Sequence, residues 1–143
     1  MWDWIKGKLR SAGAPGDIGA RGEAAAAAWL RRHRGVTLLE RNWRNPRDRR
    51  DEIDLICRED DVVVFVEVKA RAAGALVPGY YAVDERKKRV LRRAIKAYLA
   101  QLPVKPRTFR FDVVEVIWRA DAADAAEVLH FENVPLFSKH FRP

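Results

Sequence analysis

The stretch Glu52-Ile53-Asp54-Leu55-Ile56-Cys57-Arg58-Glu59-Asp60-Asp61-Val62-Val63-Val64-Phe65-Val66-Glu67-Val68-Lys69-Ala70-Arg71 decides the fold. Val62–Ala70 is nearly all β-branched and aromatic on both faces, the pattern of a strand buried at the centre of a sheet. Glu52–Arg58 reads as a second strand, and the short link through Asp60-Asp61 permits a hairpin. Residues two apart on a strand share a face. Val63, Phe65, Glu67 and Lys69 therefore lie on one side of the later strand, and Glu52, Asp54 and Ile56 on one side of the earlier one. In a hairpin these faces can coincide, so that Asp54, Glu67 and Lys69 converge.

Two readings of that convergence stand side by side. Glu67 and Lys69 alone make an ordinary ion pair of the kind common on surfaces. With Asp54 upstream there is a second carboxylate, and an acidic pair at the end of a buried strand is costly without a ligand.

A helix is expected from Asp17, as N-cap, to about His33, with Gly35 as its stop. Its apolar stripe contains Ala26, Ala27 and Leu30, and Glu23 heads the same stripe. Glu23 is either the acidic residue that a first helical turn favours or a fourth member of the site. Val36–Trp43 reads as a strand, Asn45–Asp48 as a turn, and Ala72–Tyr81 as a loop. A second helix fits Asp84 to about Leu102 before Pro103, with Lys87 in line with Leu91, Ala94 and Tyr98. Thr108–Trp118 is a further strand and Val128–Glu132 a weak last one, after a linker over Asp121–Ala126. The order predicts an α/β fold, a mixed sheet flanked by helices. The domain is expected over residues 17–134, between a basic N-terminal arm (1–16, with a short amphipathic helix considered for Trp2–Arg10) and a C-terminal tail (135–143).

The 143 residues suit one domain, and 48% hydrophobic with 34% charged residues is globular composition. No run is long and apolar enough for a membrane span, and none reads as a secretory signal. Cys57 is the lone cysteine, so no internal disulfide forms, and His33, His130 and His140 are too scattered to make a zinc site with it; a cytoplasmic setting is expected. The net charge of +8 points to a polyanionic partner, most often nucleic acid, although solubility alone also accounts for it. Charge is segregated. Asp51, Glu52, Asp54, Glu59, Asp60, Asp61 and Glu67 crowd the centre between two basic segments, the second running from Arg86 to Arg93. A protein that merely coats DNA gains nothing from carboxylates near phosphates, whereas one that sets a metal ion against a phosphate needs them.

Two hard carboxylates, the Val68 carbonyl and water suit Mg²⁺ or Mn²⁺, and Lys69 stands ready to orient or deprotonate an attacking water or to stabilise the pentacovalent state. Arg86, Lys88, Arg89, Arg92 and Arg93 lie mostly outward, either as a solvated face or as a phosphate-binding one.

Gly22-Glu23, Arg41-Asn42-Trp43-Arg44, Glu52-Ile53-Asp54-Leu55-Ile56, Phe65-Val66-Glu67-Val68-Lys69-Ala70-Arg71, Val83-Asp84 with Lys87, Tyr98-Leu99 and Arg110-Phe111-Asp112-Val113-Val114 occur in that order. The set resembles the YraN family of small bacterial proteins, itself similar to archaeal Holliday-junction resolvases and to the restriction-endonuclease-like PD-(D/E)xK nucleases. The resemblance implies an αβββαβ core, Asp54 and Glu67 as metal ligands, Lys69 as the catalytic lysine and Glu23 as the helix glutamate completing the site. Glu52 belongs to the motif as a further candidate. Arg44, Lys87, Arg92 and Arg93 are the candidate substrate-binding residues. Asp51 departs from the glycine usual before Glu-Ile-Asp, which alters the turn geometry expected there, and Asp112 reads as structural, a partner for Arg110 or Lys87, with a role in the site as the alternative.

The expected function is that of a metal-dependent endonuclease on DNA, branched or structured DNA by analogy. The rivals are a non-catalytic nucleic-acid-binding protein on the same scaffold and a protein-interaction module. A homodimer is also considered, with Val128–Phe137 as its surface because of its apolar content.

Overall fold

A computed structural model describes residues 18–73, 83–119 and 126–142. The expected N-terminal arm, the Asp17 cap, nearly all of the Ala72–Tyr81 loop and most of the linker before the last strand lie outside the described residues.

The first helix, α1, is Ile18–Arg34, an alanine-rich segment that buries Gly22, Ala26, Ala27 and Leu30. It ends where Gly35 takes a φ of 66° and its N–H returns to the Arg31 carbonyl. Three antiparallel strands come next: β1 (Thr37–Asn45), β2 (Asp48–Glu59) and β3 (Val62–Ala72). Asp60, at φ 51°, makes the tight turn between β2 and β3. The second helix, α2 (Glu85–Gln101), is capped by Asp84, whose carboxylate accepts the Lys87 N–H at 2.9 Å. It lies between β3 and the parallel β4 (Thr108–Trp118), and β5 (Ala126–Phe131) pairs antiparallel with β4.

The result is a mixed five-stranded α/β sheet in the order β1-β2-β3-β4-β5, with the expected αβββαβ order and β3 at its centre. Each face carries one helix. On the α2 face, Leu91, Ala94, Ile95, Tyr98 and Leu99 pack on Trp43, Ile53, Ile56, Phe65 and Val113. On the α1 face, Ala26, Ala27 and Leu30 pack on Leu55, Cys57, Val64, Val66 and Val114. Burial pushes the Cys57 thiol up to about 12, which leaves it chemically quiet. Among the described residues no helix is long and apolar enough to cross a membrane.

The segment set off as a C-terminal tail folds back on this core. The Val134 N–H donates to the Phe111 carbonyl, Val134 and Leu136 are buried, and the Phe137 ring meets Phe109 edge-on. Part of the apolar stretch considered for a dimer surface is therefore used inside the chain.

One local rule breaks, and it shapes the site. Trp43 and its partner Ile53 face α2, but Leu55, two residues on, faces α1. The rung between carries Asn42, at φ 46°, opposite Asp54. The left-handed residue interrupts the pleat, as a bulge does, and re-aims the side chains beyond it. The expectation that Glu52 shares a face with Asp54 and Ile56 is thus corrected for Glu52. Ile56 joins Ile53 on the α2 side, and Glu52 is joined through Asn42 to Glu23 of α1.

Candidate functional site

The β2–β3 ladder ends at the pair Leu55–Val66. Beyond it the strands part, and the Val68 N–H, which would otherwise bond across the ladder, donates to Asp54 Oδ2 at 2.8 Å. Asp54 thus sits in the fork itself, where groups from both faces of the sheet can reach it.

Glu67 comes from the α2 side. Its side chain is 4% exposed, and its Oε1 receives Lys69 Nζ at 3.2 Å and Lys87 Nζ at 3.4 Å. Its other oxygen, Oε2, is buried with no hydrogen-bond partner. Burial, the Glu67 charge beside it and the Glu23 charge hold the Asp54 carboxyl well above the usual carboxylate range, and the bond from Val68 offsets this only in part. Two carboxylates side by side, one with an orphaned oxygen, ask for a proton or a cation between them.

Glu23 arrives from the α1 side. Asn42 Nδ2 donates to Glu23 Oε2 at 2.8 Å and lies 3.2 Å from Glu52 Oε1, while Arg44 Nη2 pairs with Glu52 Oε2 at 3.0 Å. Gly22 allows this approach, because a Cβ there would lie 2.5 Å from the Ala70 Cβ of β3. Gly22→Ala should therefore lift α1 from the end of β3. A destabilisation of about 1–3 kcal/mol is expected in denaturant melts, as for other overpacked sites. Displacement of Glu23 should accompany it.

The fold brings together Glu23, Asp54, Glu67 and Lys69, with Glu52, Lys87 and Arg44 bonded into the same cluster. It does not bring in Arg92 and Arg93. Arg93 pairs at 2.9 Å with Asp51, a carboxylate only 1% exposed, and Arg92 donates to the Leu136 carbonyl. Both have structural partners, and replacing Arg93 would leave the buried Asp51 with a 3.4 Å bond from Asn45 Nδ2 and no ion pair. Asp51, read from the sequence only as an altered turn residue, is the anchor that ties β2 to α2. Asp112 holds Arg110, not Lys87. The residue that sequence reasoning left without a role is Asn42. The only signal for it lay in the Arg41–Arg44 motif.

These donors fit a hard divalent ion. Asp54, Glu67 and the Val68 carbonyl offer oxygen alone, and one Glu67 oxygen is buried with no hydrogen-bond partner. Among the described residues no three His, Cys, Asp or Glu side chains form a metal cage by themselves. Most of the shell of such an ion would be left to water, as suits Mg²⁺.

Residues 22–116 match the family described as "Uncharacterised protein family UPF0102", a span holding every residue of the cluster. The UPF0102 protein of Beutenbergia cavernae is 40% identical over 117 residues, covering 82% of this chain and 94% of its own length. That of Geobacter metallireducens is 38% identical over 118 residues, covering 82% and 88%. That of Nitratidesulfovibrio vulgaris strain DP4 is 40% identical over 120 residues, covering 78% and 87%.

Proposed function

The chain belongs to the UPF0102 (YraN) family, and for it we propose a metal-dependent nuclease that hydrolyses phosphodiester bonds in DNA. The observation that carries this reading is the pairing of half-buried Asp54 with buried Glu67, one of whose oxygens is unpartnered, flanked by Lys69. Branched or structured DNA is the substrate class suggested by the likeness to resolvases, a fold-level analogy.

Asp54, Glu67 and the Val68 carbonyl would hold Mg²⁺ or Mn²⁺, which when bound supplies an ionised water and neutralises phosphoryl charge. The chain's own groups do the rest. Lys69 and Lys87 hold Glu67 in its orientation, since each ammonium pairs with the same oxygen. Lys69 can then donate to the attacking water or to the phosphoryl oxygen that gains charge. Glu23 closes the cluster from the α1 side. Arg86 and Arg89, exposed on α2 beside Lys87, are the groups best placed to meet the phosphate backbone. The net charge of +8 would draw a polyanion to the surface.

The test is cleavage of duplex, single-stranded and four-way-junction DNA with Mg²⁺ or Mn²⁺, with Asp54→Asn as control. The expected result is metal-dependent cutting by the wild type and background levels in the variant. DNA binding that weakens steeply with salt but never leads to cutting would favour the non-catalytic scaffold.

A further inference from the structure

We propose that Asn42 is a positioning residue, whose single side-chain amide fixes Glu23 of α1 and Glu52 of β2 around Asp54. Three observations meet on it. The first is its φ of 46° in the middle of β1, a conformation costly for most residues and tolerated best by Gly and Asn. Such strain persists where the surroundings enforce it, and it gathers at functional sites. The second is its rung. The pairs Arg41–Leu55 and Trp43–Ile53 bracket it, so it stands opposite Asp54, where the faces of both strands switch. The third is its bonding. The amide nitrogen lies 2.8 Å from Glu23 Oε2 and 3.2 Å from Glu52 Oε1.

The choice of an amide has a chemical reason. An NH₂ group has two protons to give, one for each carboxylate. A lysine or arginine here would hold both glutamates but would cancel the negative charge that attracts a cation. Asparagine binds them and leaves that charge in place. Held this way, Glu23 keeps a fixed position relative to the Asp54–Glu67 pair, and a small misplacement at a reacting centre costs rate heavily.

The kinetic part of this proposal rests on the nuclease reading; the structural part does not. The chain has three asparagines (Asn42, Asn45, Asn133) and one glutamine (Gln101), so its side-chain amide signals in a nitrogen–proton correlation spectrum are few. Loss of one pair in Asn42→Gly assigns Asn42. In the wild-type background, Glu23→Ala and Glu52→Ala should each shift that pair. An Asn42 signal unmoved by Glu23→Ala overturns the proposal, whether or not the protein cuts DNA.

In kinetics, Asn42→Gly keeps the left-handed backbone and removes the donors, and Asn42→Asp keeps the shape and replaces the donors with charge. The glycine variant should melt within a few degrees of wild type and lose kcat by about ten- to a hundredfold, with KM little changed. The aspartate variant should lose at least as much. Equal kcat in wild type and both variants would make Asn42 a turn residue only and defeat the proposal. Absence of cutting by the wild type would count against the nuclease reading, and the spectra alone would then decide the role of Asn42.

Discussion

Asp54→Asn should raise the melting temperature of the metal-free protein at neutral pH. A half-buried carboxylate, largely desolvated and beside Glu67 and Glu23, is destabilising in its charged form. The asparagine oxygen can still accept the Val68 N–H, and its NH₂ can donate to the orphaned Glu67 Oε2. The gain should be a few degrees. Its pH dependence comes from linkage. In the unfolded chain the group titrates near its ordinary value of 3.8, and in the fold well above it. Between those two values the native state holds a proton that the unfolded state has lost, so wild-type stability falls as pH rises through the interval. The advantage of the variant should be full above the folded value and vanish below about pH 4. An Asp54→Asn protein less stable than wild type at neutral pH would mean that the two carboxylates do not strain one another.

Asp112→Ala should cost about 3–5 kcal/mol, the scale for breaking a buried charge network. Asp112 is fully buried and accepts from Arg110 Nε at 3.0 Å, His130 Nε2 at 2.8 Å and the Asn133 N–H at 2.9 Å. These bonds pin β5 and the returning C-terminal segment to β4. Arg110 and Arg34 extend the network to Glu59 and Glu132. Removing the central acceptor leaves a guanidinium that is 13% exposed short of one partner. A fall in melting temperature of roughly 10–20 °C is expected. Burial alone would raise the Asp112 carboxyl, but the bonds from His130, Arg110 and Asn133 outweigh it and hold the group below its usual range. Its contribution is therefore complete above pH 3.8 and lost as pH falls through the lower folded value. Calorimetric melts between pH 2 and 5 should show that acid branch in the wild type and not in Asp112→Ala. Because Asp112 lies outside the cluster around Asp54, Mn²⁺ binding should survive in folded Asp112→Ala.

Much of the architecture was legible because its signals are local. The unbroken apolar run of β3 could only be central, and it is. The Asp60-Asp61 turn made the hairpin, and Asp84 capped α2. The convergence of Asp54 with Glu67 was also readable, although strict alternation reaches it by a partly wrong route. Alternation puts Glu52 and Ile56 on one face, whereas the interruption at Asn42 separates them. A single asparagine in a strand-like run does not announce a left-handed backbone, because φ there is imposed by tertiary contacts and not by local preference. The roles of Arg92 and Arg93 were hidden for a related reason. Which cation on an exposed helix face meets a buried acid depends on a long-range approach of α2 to β2, and spacing along the helix carries no trace of it.

Asp54 and Glu67 together are expected to hold a divalent cation. Calorimetric titration of the metal-free protein with Mn²⁺, wild type against Glu67→Gln, tests it without reference to any substrate. A saturable binding event of about one ion per chain is expected in the wild type, lost in the variant while its fold persists. Equal Mn²⁺ affinity in the two proteins, or no binding by the wild type, would contradict it.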